Sequence, residues 1–328
     1  MELPGNVQPF AALPLPRLAV QDRVKRQPLK IRLQELYDTA DWMDAETAAA
    51  SEPQQWGNRM RSIRLALITA HGLTNDDTLT VDGLLHLLGM VGSGKSTLYT
   101  VLAVYLARQE QRVVIVQSDV ASLLQLEEVF ESLRRADPRI VAVPLVGRST
   151  RLVHLNRLHV ADAGSTLSDK PHPGYRMLST ICPLDGLRQD VDPIPPAEEP
   201  CTRLYPIVKG QEGACDCPFL PVCPVHLPTR ELASTSIWLA TPASLLAARP
   251  QAPLIEEEMR YVELAMRHAD GILVDEADLV QVQFDDRFAP TEGLVGRYEG
   301  WLDRLAQQVM RQIYRPGRPL VGRAKGLD

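Results

Sequence analysis

Cysteine is missing before Cys182 and after Cys223, yet five cysteines crowd the stretch between. Positive charge is also in short supply. The formal net charge of −6 leaves no global basic field, so any nucleic-acid contact must run through a local patch. No apolar run approaches the roughly 20 residues that span a bilayer, so no membrane association is expected. The opening MELPGNVQPFAALPLPRLAV lacks a basic start followed by a sustained apolar run, which argues against a secretory signal and for a cytoplasmic location. In a reducing compartment a disulfide framework is disfavoured, and clustered cysteines read as metal ligands or redox groups. Internal repeats are lacking as well. What is present, 45% hydrophobic and 23% charged residues over 328 positions, is the composition of a globular chain with ample core.

Residues 1–79 read as an irregular proline- and base-rich arm followed by a helical extension, with a helix expected across Leu29 to Ala50. From 80 to 162 the pattern alternates. VDGLLHLLGM reads as a buried strand, LYTVLAVYLARQ as a helix, RVVIVQ as a strand, VASLLQLEEVFESLRRA as a helix and RIVAVPLVG as a strand. Such alternation marks a parallel sheet covered by helices. It stops over 163–232, where the cysteines and many prolines lie, and resumes over 233–285 with STSIWLA, TPASLLAA, a helix across about 254–268 and GILVDEAD. The middle stretch therefore reads as an insertion within one α/β domain. Residues 286–328 read as an amphipathic helix and a basic tail.

Two short motifs carry nucleotide chemistry. GMVGSGKS fits G-x-x-x-x-G-K-[ST], with Gly89, Gly94, Lys95 and Ser96 at the defining positions. Gly92 and the flanking glycines let the backbone curl its N–H groups onto phosphate oxygens, at the positive end of the helix that Thr97 continues. Lys95 reaches the β- and γ-phosphates, and the Ser96 hydroxyl is placed for Mg²⁺. GILVDEAD delivers Asp275 and Glu276 to the C-terminal edge of a strand, where ligands bind in open α/β sheets. Asp275 is expected to share the Mg²⁺, and Glu276 to polarise the attacking water. These residues predict an ATP site.

The cysteine spacing is Cys182-x₁₈-Cys201-x₁₃-Cys215-x-Cys217-x₅-Cys223, without a clean C-x-x-C pair of the kind zinc knuckles use. Irregular, loop-borne spacing suits an iron–sulfur cluster gripped by separate segments, with zinc as the alternative. Cys182, Cys217 and Cys223 each precede a proline, which stiffens a ligand loop. Lys95 and Asp275 stand about 180 positions apart. A minimal core needs on the order of 100 residues between such motifs, and the cysteine segment accounts for the excess.

The order of phosphate loop, cysteine insertion, "SIWLATPASLLAA" and DEAD resembles the iron–sulfur helicases of the XPD/DinG-like branch of superfamily 2, over about residues 80–285. The resemblance implies a RecA-like P-loop domain, a [4Fe-4S] cluster, and ATP-driven 5′→3′ translocation on single-stranded DNA with unwinding of duplex. That family uses four cysteine ligands. Cys182, Cys201, Cys217 and Cys223 are the expected set, with Cys215 as the alternate and His226 as a possible substitute. "VVIVQSDVASLLQL" looks like the segment of such motors that touches the nucleic-acid backbone, which implies that Gln117, Ser118 and Asp119 lie near the strand. Arg148 and Arg151 are further candidates for nucleic-acid contact. The family's box usually ends in His, where this chain has Asp278. A second RecA-like domain, on the order of 150 residues, is expected from a partner chain or from further sequence. Two readings of other classes stand beside this one: a regulatory P-loop ATPase with a zinc-bound partner-binding module, and a non-motor nucleic-acid-binding subunit of a defence or repair complex.

Overall fold

The computed structural model describes residues 18, 27–48, 53–69, 72–74, 77–90, 92–161, 172–187, 192, 194–195, 197–199, 201, 217–250, 255, 257–289 and 300–313, and the description below is limited to these. The chain is mixed α/β and divides into two compact units, residues 1–280 and 281–328.

The centre of the first unit is a four-stranded parallel sheet. Its strands are β5 (Val113–Val116), β6 (Ala142–Leu145), β7 (Ile237–Ala240) and β8 (Gly271–Val274), in the order β6-β7-β5-β8. Val113 pairs with both Ile237 and Gly271, and Ala142 pairs with Ile237, so all four strands run in step and end at one edge. β5, β6 and β7 are buried along their whole length, as their continuous apolar runs require of strands covered on both faces. β8 lies at the outer edge, with Ile272 and Val274 exposed. β6 and β7 are hydrogen-bonded neighbours although the whole cysteine stretch lies between them in sequence.

The N-terminal residues form their own small platform. A strand, β1 (Leu29–Arg32), occupies the start of the span expected to be helical, and the helix α1 begins only at Leu33 and ends at Glu46. β1 pairs antiparallel with β4 (Thr78–Val81), and a short hairpin joins β2 (Leu67–Thr69) to β3 (Gly72–Thr74). The Asp44 carboxylate at the end of α1 accepts the Trp56 and Gly57 N–H groups, fixing the free N-terminus of α2 (Trp56–Ser62).

The helix after the phosphate loop, α3 (Lys95–Arg108), is apolar on nearly every side. Leu98, Val101, Ala103, Val104, Leu106 and Ala107 are buried, in one core with Leu36 and Met43 of α1, Trp56 and Met60 of α2, and Val113 and Ile115 of β5. A helix hydrophobic all round belongs in such a sandwich. The helix α4 (Val120–Arg134) starts where Asp119 accepts the Ser122 N–H.

Two further sequence expectations change. VDGLLHLLGM contributes only Val81 to a strand; residues 82–90 are irregular, and Leu84, Leu87, Leu88 and Met90 are exposed. Strand formation requires a neighbouring edge to take the backbone N–H and C=O groups, and this run pairs with none among the described residues. The helix expected across 254–268 covers Tyr261–His268, while Ile255 forms a parallel bridge with Leu18. The remaining helices of the first unit are Arg151–Ala161, Gly174–Met177, Leu227–Glu231 and Pro242–Ala247. The helix Ala277–Phe288 follows β8. The second unit contains Trp301–Ile313, where Leu302, Leu305 and Val309 share one face by their spacing. No described helix is long and apolar enough to cross a membrane.

Candidate nucleotide and thiol sites

Lys95 opens α3, with Gly94 immediately before it at φ +86° and Gly92 at φ +79°. Both φ values lie in the left-handed region that side chains other than glycine rarely enter. A Cβ on Gly94 would also stand 2.7 Å from Ile63 Cγ1. The loop thus needs glycine for backbone shape at two positions and for close packing at one. The Lys95 ammonium folds back onto its own loop, donating to the carbonyls of Gly89 at 2.6 Å and Met90 at 3.2 Å. Ser96 is exposed. Thr97 is fully buried, its hydroxyl without a hydrogen-bond partner, so what it can offer a ligand is its backbone N–H. Val91 lies outside the described residues.

Asp275 and Glu276 leave the C-terminal end of β8 as expected. The Asp275 N–H donates to Val116 O, which ties the turn to the neighbouring strand. Gln117, one residue past β5 and buried, donates through Nε2 to the Tyr99 hydroxyl at 2.8 Å and to Asp275 Oδ2 at 3.4 Å. Tyr99 sits one helical turn beyond Lys95. Burial, and after it the Asp275 carboxylate, push its phenol up to about 12, so it stays protonated. The Tyr99 side chain also interacts with Ser96. Tyr99, Ser96, Gln117 and Asp275 therefore form one polar network joining the phosphate-loop helix to the acidic strand end. Glu276 holds φ +47°, a left-handed backbone unusual outside glycine and of the kind that gathers at functional sites. Its carboxylate accepts from the Ser118 hydroxyl at 3.1 Å.

Gln117, Ser118 and Asp119 each make a local hydrogen bond at this sheet edge. The first two face the acidic turn and the third caps α4. Sequence reading missed Tyr99, although its position four residues after Lys95 puts both on one face of α3.

A second cluster gathers around the cysteines. Cys201, Cys217 and Cys223 are buried and Cys182 is half-buried, all with free thiols; Cys215 lies outside the described residues. The four thiols act on one another: Cys201 feels Cys223 and Cys217, while Cys217 and Cys223 both feel Cys182. Burial, and then these neighbours, push the Cys201 thiol up to about 12. Burial likewise pushes Cys217 up to about 11 and raises Cys223. Two backbone N–H groups oppose the rise at each of the last two sulfurs, Phe219 and Leu220 at Cys217, Val225 and His226 at Cys223. The same Cys-Pro-x-x turn makes both pairs. Proline has no N–H to give, and the two residues after it point theirs back at sulfur.

Around the thiols stand three guanidinium groups. Arg151 is 3% exposed, its Nη1 on Val225 O and its Nε on Val146 O. Arg230 donates to the carbonyls of Leu220 and Cys223, and Arg148 pairs with Glu199 at 2.8 Å. Arg151 is thus a clamp on the second cysteine turn, too deeply buried for the nucleic-acid contact expected of it. His226 is 1% exposed, with Nε2 3.0 Å from Cys201 Sγ. Burial, and then the three arginines, push its imidazole down to about 3, leaving it neutral. Among the described residues no three Cys, His, Asp or Glu side chains are arranged to hold one metal ion. The donor chemistry nevertheless fits a thiolate-bound group: several soft ligands, N–H donors aimed at sulfur, and cations to offset the negative charge of bound thiolates.

Comparison with protein-family models, with curated proteins and with solved structures returned no match to this chain.

Proposed function

We propose that this chain is the ATPase half of an iron–sulfur helicase or translocase of superfamily 2, a RecA-like P-loop domain with an inserted cysteine module that acts on single-stranded or forked DNA. The observation that carries the reading is the Tyr99–Gln117–Asp275 network, because it links the two motifs that an ATPase must bring to one place. The phosphate-loop backbone from Gly89 to Ser96 cradles the phosphates, and Lys95 exchanges its own loop carbonyls for phosphate oxygens. Ser96 and Asp275 are the residues to hold Mg²⁺, which neutralises developing charge on the phosphates. Glu276, oriented by Ser118, is placed to accept a proton from water.

Pairing of β6 with β7 across the cysteine stretch supports an insertion that leaves the sheet continuous. Cys182, Cys201, Cys217 and Cys223 are the residues to hold a [4Fe-4S] cluster, a group that would brace the inserted loops. The 5′→3′ direction follows from the family resemblance. Full turnover in such motors calls for an arginine from a second RecA-like domain, and its lack costs about 10³–10⁵ in rate. The Cys-Pro-x-x turns would serve zinc equally, so the regulatory ATPase with a zinc module is the second reading.

The test uses the full chain purified without oxygen. Slow ATP hydrolysis that rises on adding single-stranded DNA, from a brown protein containing iron and acid-labile sulfide, is the expected result. Hydrolysis indifferent to single-stranded DNA would remove the helicase reading, and a colourless protein with one zinc per chain would favour the second.

A further inference from the structure

His226 is tied to two sulfurs at once. Its backbone N–H serves Cys223, and its ring Nε2 stands 3.0 Å from Cys201 Sγ. The other buried sulfurs, Cys217 and Cys223, each sit in a Cys-Pro-x-x turn that supplies two backbone donors. Cys201 is followed by threonine rather than proline, and among the described residues its sulfur has this imidazole as hydrogen-bonding neighbour. A cysteine bound to iron is a thiolate and can only accept, so the ring nitrogen facing it must carry the hydrogen.

Resting on the reading of the cysteine module as a cluster site, we propose that His226 is a positioning residue that donates Nε2–H to the Cys201 thiolate and raises the reduction potential of the bound cluster. Hydrogen bonds to ligand sulfur favour the reduced, more negative state and so move the potential upward. The geometry separates this role from direct ligation. Nε2 points at the sulfur itself, and four thiolates already complete a four-iron cluster. Packing holds the ring in place, because His226 lies in the short turn Pro224–His226 whose Val225 carbonyl is clamped by Arg151.

The experiment is a dithionite titration of the full chain, purified without oxygen and followed by electron paramagnetic resonance, for the wild type, His226→Phe and His226→Gln. Phenylalanine keeps the ring's bulk and removes the donor, whereas glutamine places an amide N–H close to where Nε2 stands. His226→Phe is expected to disfavour reduction by about threefold to tenfold, about 30–60 mV lower at 59 mV per tenfold. His226→Gln should stay near the wild type. An unchanged potential in His226→Phe, or a glutamine variant that follows phenylalanine, overturns the proposal. Should the phenylalanine variant fail to fold, nitrogen hyperfine coupling in the wild type decides. A weak coupling transmitted through sulfur supports donation, and a strong one overturns it by making His226 a ligand. A wild-type protein without iron and sulfide overturns the cluster reading and this inference with it. A brown wild type with unchanged variants overturns this inference alone.

Discussion

Glu127 is a carboxylate on the buried face of α4, 2% exposed, with neither oxygen in a hydrogen bond. Burial pushes it up to about 8; Arg176 draws it down, while Glu131, Glu231 and Glu128 add to the rise. A free glutamate titrates near 4.5. Between that pH and about 8 the folded chain keeps a proton that the unfolded chain releases, so stability falls as pH rises through this window. Glu127→Gln is expected to flatten that slope and to stabilise the protein at pH 8 by on the order of 2 kcal/mol, measured by urea denaturation at pH 5 and pH 8. An unchanged slope would show that another group carries it. At this scale the sequence was a partial guide. The placing of Lys95 at a helix start, and of Asp275 and Glu276 just beyond a strand, was legible because a glycine turn before an apolar run and an acidic pair after one each mark an element boundary. The inward roles of Gln117 and Arg151 were not, because a polar residue at a strand end or a helix start reads the same whether it faces water or a buried carbonyl.

Elements divide the same way. β5, β6, β7 and β8 all lie within their expected runs, and for β5, β6 and β7 burial on both faces leaves a continuous apolar stretch few alternatives. The run before the phosphate loop has the same apolar character yet stays irregular and exposed, because strand formation depends on an available neighbour that the run itself does not encode. Among the described residues β8 is an outer strand, with Ile272 and Val274 exposed at 43% and 44%. The phosphate loop tolerates little change. Gly94→Ala places a Cβ against Ile63 at φ +86° and is expected to cost about 1–3 kcal/mol, with weakened ATP binding. Pairing it with Ile63→Ala relieves the clash but not the backbone strain, so thermal denaturation should show only partial recovery. Full recovery would mean that φ at this position matters little.

For the whole molecule, the α/β class and the placing of Asp275 and Glu276 at the C-terminal sheet edge followed from alternation of apolar runs, which is a global pattern. The gathering of four cysteines from a stretch without regular periodicity did not follow from spacing. Arg151 reaches the Val225 carbonyl 74 positions away, a partner that spacing does not reveal, while Arg230 holds the nearer carbonyls of Leu220 and Cys223. Within the first unit a polar bridge runs from α3 to β8 through Tyr99, Gln117 and Asp275. If that bridge marks an ATP site, the most direct test is equilibrium binding of a fluorescent ATP analogue to the full chain with and without Mg²⁺. Saturable, Mg²⁺-dependent binding is expected, weakened about tenfold or more by Lys95→Ala and by Asp275→Ala. Binding of equal strength in the wild type and Lys95→Ala, or none in the wild type, would contradict it.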